Sequence, residues 1–431
     1  MSIASSEFAT EPVPDERTVG WFRVALVAAM VAFSLPTFLT GVEVASVSSP
    51  ERTASMLLVG SIILTLLGSL TGAIGANTRL SSYMLNRIAF GRKGAALVNL
   101  AFAISLLGWF GVNIDLFSGA IVRLALDMFD WVIPAWPVEL SAGLVMTITT
   151  VFGFRAINVL SSLLVPVLVV VTYLLIAGSL EETPLDELMR QSVDEELPFG
   201  VGVSAVVGAI VVGAVILPDI TRFIRNWRGA ICAVMISYLF IELIVMAAGG
   251  MASASLRDED LLNIMITLGI GWAAFAIVIL GSWVLNSLNL YSTMLSVEST
   301  APALDNRLLI VCLGILGTVA AFLNILDYFL AFLFYLSIVF VPVAGVIAVD
   351  YLLLRKRAYH EDRIVLEQAV RPLAVGAWIF GACVALIASW EWIALTGIAA
   401  IDAMLVAALT YYLLSMRAGD GGAGNKGVPN P

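Results

Sequence analysis

Phe33-Ser34-Leu35-Pro36-Thr37 sets a proline in the middle of an apolar stretch that runs from residue 23 to residue 45. A stretch of that length crosses a bilayer as a helix. Proline has no backbone N–H to donate and its ring clashes with the preceding turn, so the helix is expected to break or kink there. A second interruption is expected in residues 199–221, where Gly208 and Gly213 loosen the middle and Pro218-Asp219 closes the end. Either break alone is equally well a packing kink. A pair at the first and sixth spans is what an inverted five-plus-five repeat requires, and unwound backbone at membrane depth is tolerated only where it lines a protein cavity.

Composition agrees with this outline. The chain of 431 residues is 60% hydrophobic and 13% charged, with a mean hydropathy of +1.00, whereas soluble domains run at about 45–50% apolar and about 25% charged. Twelve candidate spans follow, at residues 23–45, 53–78, 95–124, 137–154, 158–179, 199–221, 229–253, 267–297, 308–326, 328–351, 372–390 and 393–415. The predicted fold is an all-α integral membrane protein. Its expected parts are a cytoplasmic tail (1–22), a first inverted repeat (23–179), an acidic extracellular loop (180–198), a second inverted repeat (199–357), spans 11 and 12 (358–416) and a Gly/Asn-rich disordered cytoplasmic tail (417–431). The polar start carries Pro12 and Pro14 and lacks the pattern of a cleaved signal peptide.

Alternating sides from a cytoplasmic amino terminus collects Arg79, Arg87, Arg92, Lys93, Arg222, Arg225, Arg228, Arg355, Lys356 and Arg357 on one side, against Arg52, Arg190 and Arg257 on the other. That is the positive-inside bias, and it predicts a multi-pass protein of a bacterial-type cytoplasmic membrane with both termini inside. Much of the net charge of −10 comes from the loop between Glu181 and Glu196, expected to be solvated outside.

Several function classes lack their raw materials. Cys232, Cys312 and Cys383 lie in apolar runs without metal-ligand spacing and are expected to be buried free thiols, and the single histidine, His360, falls in a charged loop. No metal, cofactor or catalytic pair is therefore expected, and no basic, aromatic-rich face suggests nucleic acid.

Gly108-Trp109-Phe110-Gly111-Val112-Asn113, in span 3, holds an indole and a carboxamide four residues apart on one helical face. A flat polar ligand can stack on the ring and bond the amide. Span 8 adds Asn286 and Asn289, three apart, each equally well interhelical glue or a ligand contact.

Taken together, Pro12-Val13-Pro14 with Arg17, Gly72-Ala73-Ile74-Gly75-Ala76 through Arg87 and Phe90-Gly91, Gly108-Trp109-Phe110-Gly111, Pro218-Asp219 with Arg222-Phe223, and Leu336-Ser337 through Pro342, Gly345, Asp350-Tyr351-Leu352 and Arg355 resemble the nucleobase:cation symporter-1 family of cytosine, purine, allantoin and hydantoin permeases. The resemblance implies a leucine-transporter-like repeat, alternating access, and a ligand between spans 1, 3, 6, 8 and 10. Trp109, Asn113, Asn286, Asn289, Ser34, Pro36, Gly213 and Ile210 are the implied substrate-binding residues.

Three departures from the family pattern matter. Val284-Leu285 replaces the hydroxyl pair that helps sodium-using relatives bind the ion, so neither side chain offers an oxygen. Ile210 stands where relatives place an aromatic opposite the tryptophan, and Leu106 replaces the glutamine of cytosine permeases. Glu43, beyond the Pro36 break, and Asp115, in span 3, are the candidate proton carriers, while Glu242 in span 7 and Asp402 in span 12 are read as structural acids outside the site. The expected function is import of a small planar nitrogen heterocycle, coupled to protons rather than sodium; an amino-acid or other organic-solute symporter of the same fold is the alternative.

Overall fold

The computed structural model describes residues 11–152, 154–193, 196–271, 281–298, 304–323, 325–359, 369–390 and 395–418, with residues 279 and 300. His360 and the carboxyl-terminal tail from residue 419 lie outside them. Among the described residues the chain is helical, and the helices fall at all twelve expected positions. Seven are long and apolar enough to cross a bilayer, and Ala135–Val151 and Asn306–Ala321 are shorter apolar helices at spans 4 and 9. Span 1 is split in two, span 5 is Phe154–Glu182, and the described part of span 8 is Ser282–Glu298.

The first break is displaced from the proline. Helix Trp21–Ala32 ends at Phe33, Ser34 is extended (φ −95°, ψ 154°), and helix Leu35–Ser46 begins with Pro36 as its second residue. A proline is tolerated in a first turn, where its missing N–H has no intrahelical partner in any case. Pro36 therefore starts the second half rather than breaking a continuous helix. Span 6 differs too: Phe199–Val215 runs straight through Gly208 and Gly213, and the interruption falls at Ile216-Leu217, before the short turn Pro218–Thr221. Gly208 serves packing instead, because a methyl there would lie 1.7 Å from the Leu333 carbonyl oxygen of span 10.

Span 2 (Pro50–Thr78) and span 3 are joined through a helix that starts at Ser82 and kinks at Gly91, whose φ of 77° suits glycine. The kink is held by chain from before span 11: Arg371 N–H donates to the Phe90 carbonyl at 2.9 Å and Lys93 N–H to Ala369 at 2.7 Å. Span 7 (Trp227–Leu256) contains a π-helical stretch, Met235–Glu242, and its last part packs on the second half of span 1 backbone to backbone. Methyls added at Gly41 and Gly249 would meet the Met246 and Phe38 carbonyl oxygens at 1.9 and 2.2 Å.

Span 10 (Phe329–Val349) continues into a π-turn, Asp350–Leu354, and packs on spans 6, 11 (Pro372–Ser389) and 12 (Ala399–Arg417). Fully buried Asp350 gathers their ends. Its carboxylate accepts from Arg355 Nε at 3.0 Å and Nη2 at 2.6 Å, Arg371 Nη1 at 3.2 Å, Tyr359 Oη at 2.5 Å and Tyr411 Oη at 2.6 Å. This explains why Asp350 and Arg355 occur as a motif. Asp402 is likewise satisfied, accepting from Thr396 N–H at 3.0 Å.

One further expectation changes. The three cysteines are free but exposed on the outer surface of the bundle, not buried; where they meet lipid, their surroundings are apolar all the same. The acidic loop keeps Glu181, Glu182, Asp186 and Glu187 exposed and is tied down at its far end. Glu196 pairs with Arg52 at 3.1 Å and accepts from Ser49 Oγ, and Leu197 N–H donates to Val47 at 2.9 Å. The Ser49 hydrogen bond, aided by the Arg52 charge, holds the Glu196 carboxyl below its ordinary 4.5.

Candidate functional site

A cavity of about 120 Å³ lies beside both breaks. A single water needs about 10–15 Å³ on the same measure, so the space suits a small ring. Ser34 and Pro36 contribute from the span 1 break, with Val27, Ala28 and Val31 from the half-helix before it. Trp109 and Leu106 come from span 3, Ile210, Gly213 and Ile216 from span 6, and Leu285, Asn289 and Ser292 from span 8. No residue of span 1 beyond Pro36 lines it, so the cavity extends toward the end of the bundle that carries Asp219.

The polar groups are few and well placed. Ser34 Oγ and Thr37 Oγ1 are 2.9 Å apart at the start of the second half-helix. The Asn289 carboxamide makes no hydrogen bond among the described residues. At the cavity's end, Asp219 caps the helix after span 2, accepting from Ser82 N–H at 2.8 Å and Ser82 Oγ at 2.9 Å. The next residue, Tyr83, donates to the Ser292 carbonyl of span 8 at 3.0 Å. That helix therefore spans the end of the cavity, bonded to span 6 on one side and span 8 on the other. The Pro218-Asp219 motif is explained by this cap.

Trp109 is 6% exposed and its ring is not bare on the protein side. Phe332 and Phe329 of span 10 meet it edge to face, with centroids 5.3 and 6.0 Å away. Aromatic support does exist, then, but it comes from span 10 rather than from the span 6 position held by Ile210. Counting along span 6 could not reveal it, because the partners are more than 200 residues away from Trp109 in sequence.

The two carboxamides expected beside the ring do not line the cavity. Asn113 is fully buried and its Nδ2 turns back along the helix to the Trp109 carbonyl at 2.7 Å; a short polar side chain in a helix readily bonds the preceding turn. Asn286 Nδ2 donates to the Phe110 carbonyl at 2.8 Å and contacts Met146 Sδ at 3.3 Å, which makes it interhelical glue between spans 8, 3 and 4. Both Oδ1 atoms are buried without a partner. Glu43 and Asp115 are half-buried and also stand outside the cavity wall. Val284 is buried in the core and Leu285 faces the cavity; neither side chain carries an oxygen to ligate an ion.

Among the contributors absent from the sequence expectations, one comes from a span not expected at the site. Tyr238, in the π-helical part of span 7, lines the cavity, and its hydroxyl lies 3.9 Å from where a Cβ on Gly213 would be. Its ring fills the space left by Gly68 of span 2, where a Cβ would come within 2.8 Å. Span 7 therefore belongs to the site. The sequence cue was weak, a lone tyrosine four residues before a mid-span glutamate.

The family described as "Permease for cytosine/purines, uracil, thiamine, allantoin" matches residues 12–414. This chain belongs to that permease family. The cytosine permease of Escherichia coli (strain K12) is 30% identical over 418 residues, covering 95% of this chain and 94% of that one. The hydantoin permease of Microbacterium maritypicum is 23% identical over 379 residues, covering 79% and 74%. In fold, the permease is similar to Mhp1, a nucleobase-cation-symport-1 family transporter solved closed with bromovinylhydantoin bound, at a TM-score of 0.82 and 17% identity over 97% of this chain and 96% of that one. The permease is a multi-pass membrane transporter and not an enzyme.

Proposed function

We propose that this permease imports a nucleobase or related planar nitrogen heterocycle, of the cytosine, purine, hydantoin or allantoin class, across a bacterial inner membrane by proton-coupled alternating access. The observation that carries the reading is a small cavity at two helix breaks with Trp109 as its aromatic wall. The ring of the substrate stacks on Trp109, and Ser34, Asn289 and Tyr238 supply polar contacts, with Ile210 as an aliphatic lid opposite. Asn113 and Asn286 hold the wall in position in this conformation and offer their unpaired oxygens if the helices separate. With both termini inside, the cavity faces the cytoplasm.

Proton coupling is favoured because Val284-Leu285 gives sodium no oxygen where related transporters use hydroxyls. Glu43 and Asp115, half-exposed on the outer halves of spans 1 and 3, suit proton pick-up from outside. The test is uptake of labelled cytosine, a purine, hydantoin and allantoin into proteoliposomes. Accumulation of at least one heterocycle under an imposed pH gradient, unchanged by removing sodium, is expected. No heterocycle uptake, or uptake of amino acids alone, overturns the substrate class; sodium-dependent accumulation overturns the choice of ion. Glu43→Gln vesicles that still follow the pH gradient remove Glu43 from the path.

A further inference from the structure

Glu242 sits at the middle of span 7, fully buried, with neither carboxylate oxygen hydrogen-bonded. An isolated carboxylate in an apolar interior is strongly disfavoured, so a group in that state carries its proton. It closes the π-helical stretch Met235–Glu242, one turn after the cavity-lining Tyr238. π-Helical insertions in α-helices occur often at functional sites.

Among the described residues no side chain or backbone group bonds the carboxyl. The π-helical stretch lies against the first half of span 1 and against span 2. Span 1 meets it at Ser237 Oγ, 3.4 Å from the Ala25 carbonyl, and the charged residue of that half-helix, Arg23, is exposed near its start. On span 2, Val234 and Tyr238 pack at Gly72 and Gly68, an antiparallel register that sets Glu242 opposite Leu64 and Thr65 one turn on. Thr65 gives its hydroxyl to the Ser61 carbonyl, and Ser61 Oγ is itself buried without a partner. The ionisable residues of span 2, Glu51 and Arg52, lie in its first turn, about 18 Å away along the helix at 1.5 Å per residue. Tyr238 is the titratable neighbour on the same helix. No cation among the described residues faces the carboxyl.

We propose that Glu242 is a proton-binding site of the transport cycle, loaded in this conformation and joined to the substrate cavity through Tyr238. This rests on the proton-coupled reading above. When the first half of span 1 parts from span 7 enough to admit water, the carboxyl O–H bond breaks, the proton passes to water and a carboxylate remains. Return to the closed packing requires that the carboxylate take up a proton again, so the empty carrier cannot reset without one.

The test is transport in proteoliposomes by the full chain and by Glu242→Gln, which keeps the shape but cannot release and rebind a proton. The variant is expected to retain exchange of labelled for unlabelled substrate and to lose at least tenfold of the accumulation driven by a pH gradient. If the wild type follows the gradient and Glu242→Gln follows it equally, the Glu242 site is overturned and the coupling reading stands. If the wild type ignores the gradient, both fall. Should Glu242→Gln fail to assemble, Glu242→Asp decides: it is expected to shift the pH dependence of uptake, and an unchanged profile overturns the site.

Discussion

Asp350 and Glu242 are both fully buried acids in π-helical turns of long spans, and they are treated in opposite ways. Asp350 accepts hydrogen bonds from two arginines and two tyrosines drawn from spans 10, 11 and 12 and the segments between them. Glu242 accepts none. A carboxylate with every oxygen engaged cannot change its charge or its packing without losing several partners, so it fixes the helices around it. An unbonded carboxyl stabilises nothing by its polarity, and its retention at mid-membrane calls for a role in another conformation.

Substitutions separate the two. Asp350→Asn leaves Arg355 and Arg371 with an unpaired buried charge, and removing one member of such a pair costs about 3–5 kcal/mol; a large fall in thermal stability of the purified protein in detergent is expected, and a shift of under a degree sinks the clamp role. Glu242→Leu is expected to do the reverse in detergent, raising stability by about 1–3 kcal/mol as an unsatisfied polar group is removed, while gradient-driven uptake disappears. Destabilisation by that variant would show that the carboxyl has a partner after all.

Smaller effects sharpen the contrast. Tyr238→Phe removes the cavity hydroxyl and is expected to weaken substrate binding by about 0.5–1.5 kcal/mol, read as a roughly two- to twelvefold rise in half-saturation with little change in melting temperature; equal affinity would put the hydroxyl outside the site. The smallest effect belongs to the acidic loop before span 6. Glu196 is held below its ordinary 4.5, so its contribution to loop pinning is fully present above that value and lost as pH falls through its lowered value. Protection of the Leu197 amide from hydrogen exchange, relative to its intrinsic rate, should stay high at neutral pH and fall only in acid, and pH-independent protection would argue against the Glu196 latch.

Much of this was legible in sequence. Hydropathy found the twelve positions, the paired interruptions implied the repeat, and Trp109 does wall the cavity. The details that escaped depend on where atoms go after packing. Pro36 marks a break but begins the helix after it, since a first turn needs no N–H there. Asn113 shares a face with Trp109, yet its amide N–H turns back to the preceding turn. Phe329, Phe332 and Tyr238 reach the site from spans far along the chain, and no local spacing announces such encounters. Glu242 was visible as an acid in an apolar run, but that it has no partner is a fact of three dimensions.

The glycine seam between the second half of span 1 and span 7 restricts how this permease can move. With Gly41 against the Met246 carbonyl and Gly249 against that of Phe38, the two helices interlock like cogs and must travel as one strut. Any tilt of span 1 relative to its own amino-terminal half has to be absorbed at Phe33 and Ser34, the two residues between the half-helices, and Ser34 lines the cavity. The joint of the machine and the rim of its binding site are therefore the same piece of backbone, so a ligand seated at Ser34 bears directly on the pivot.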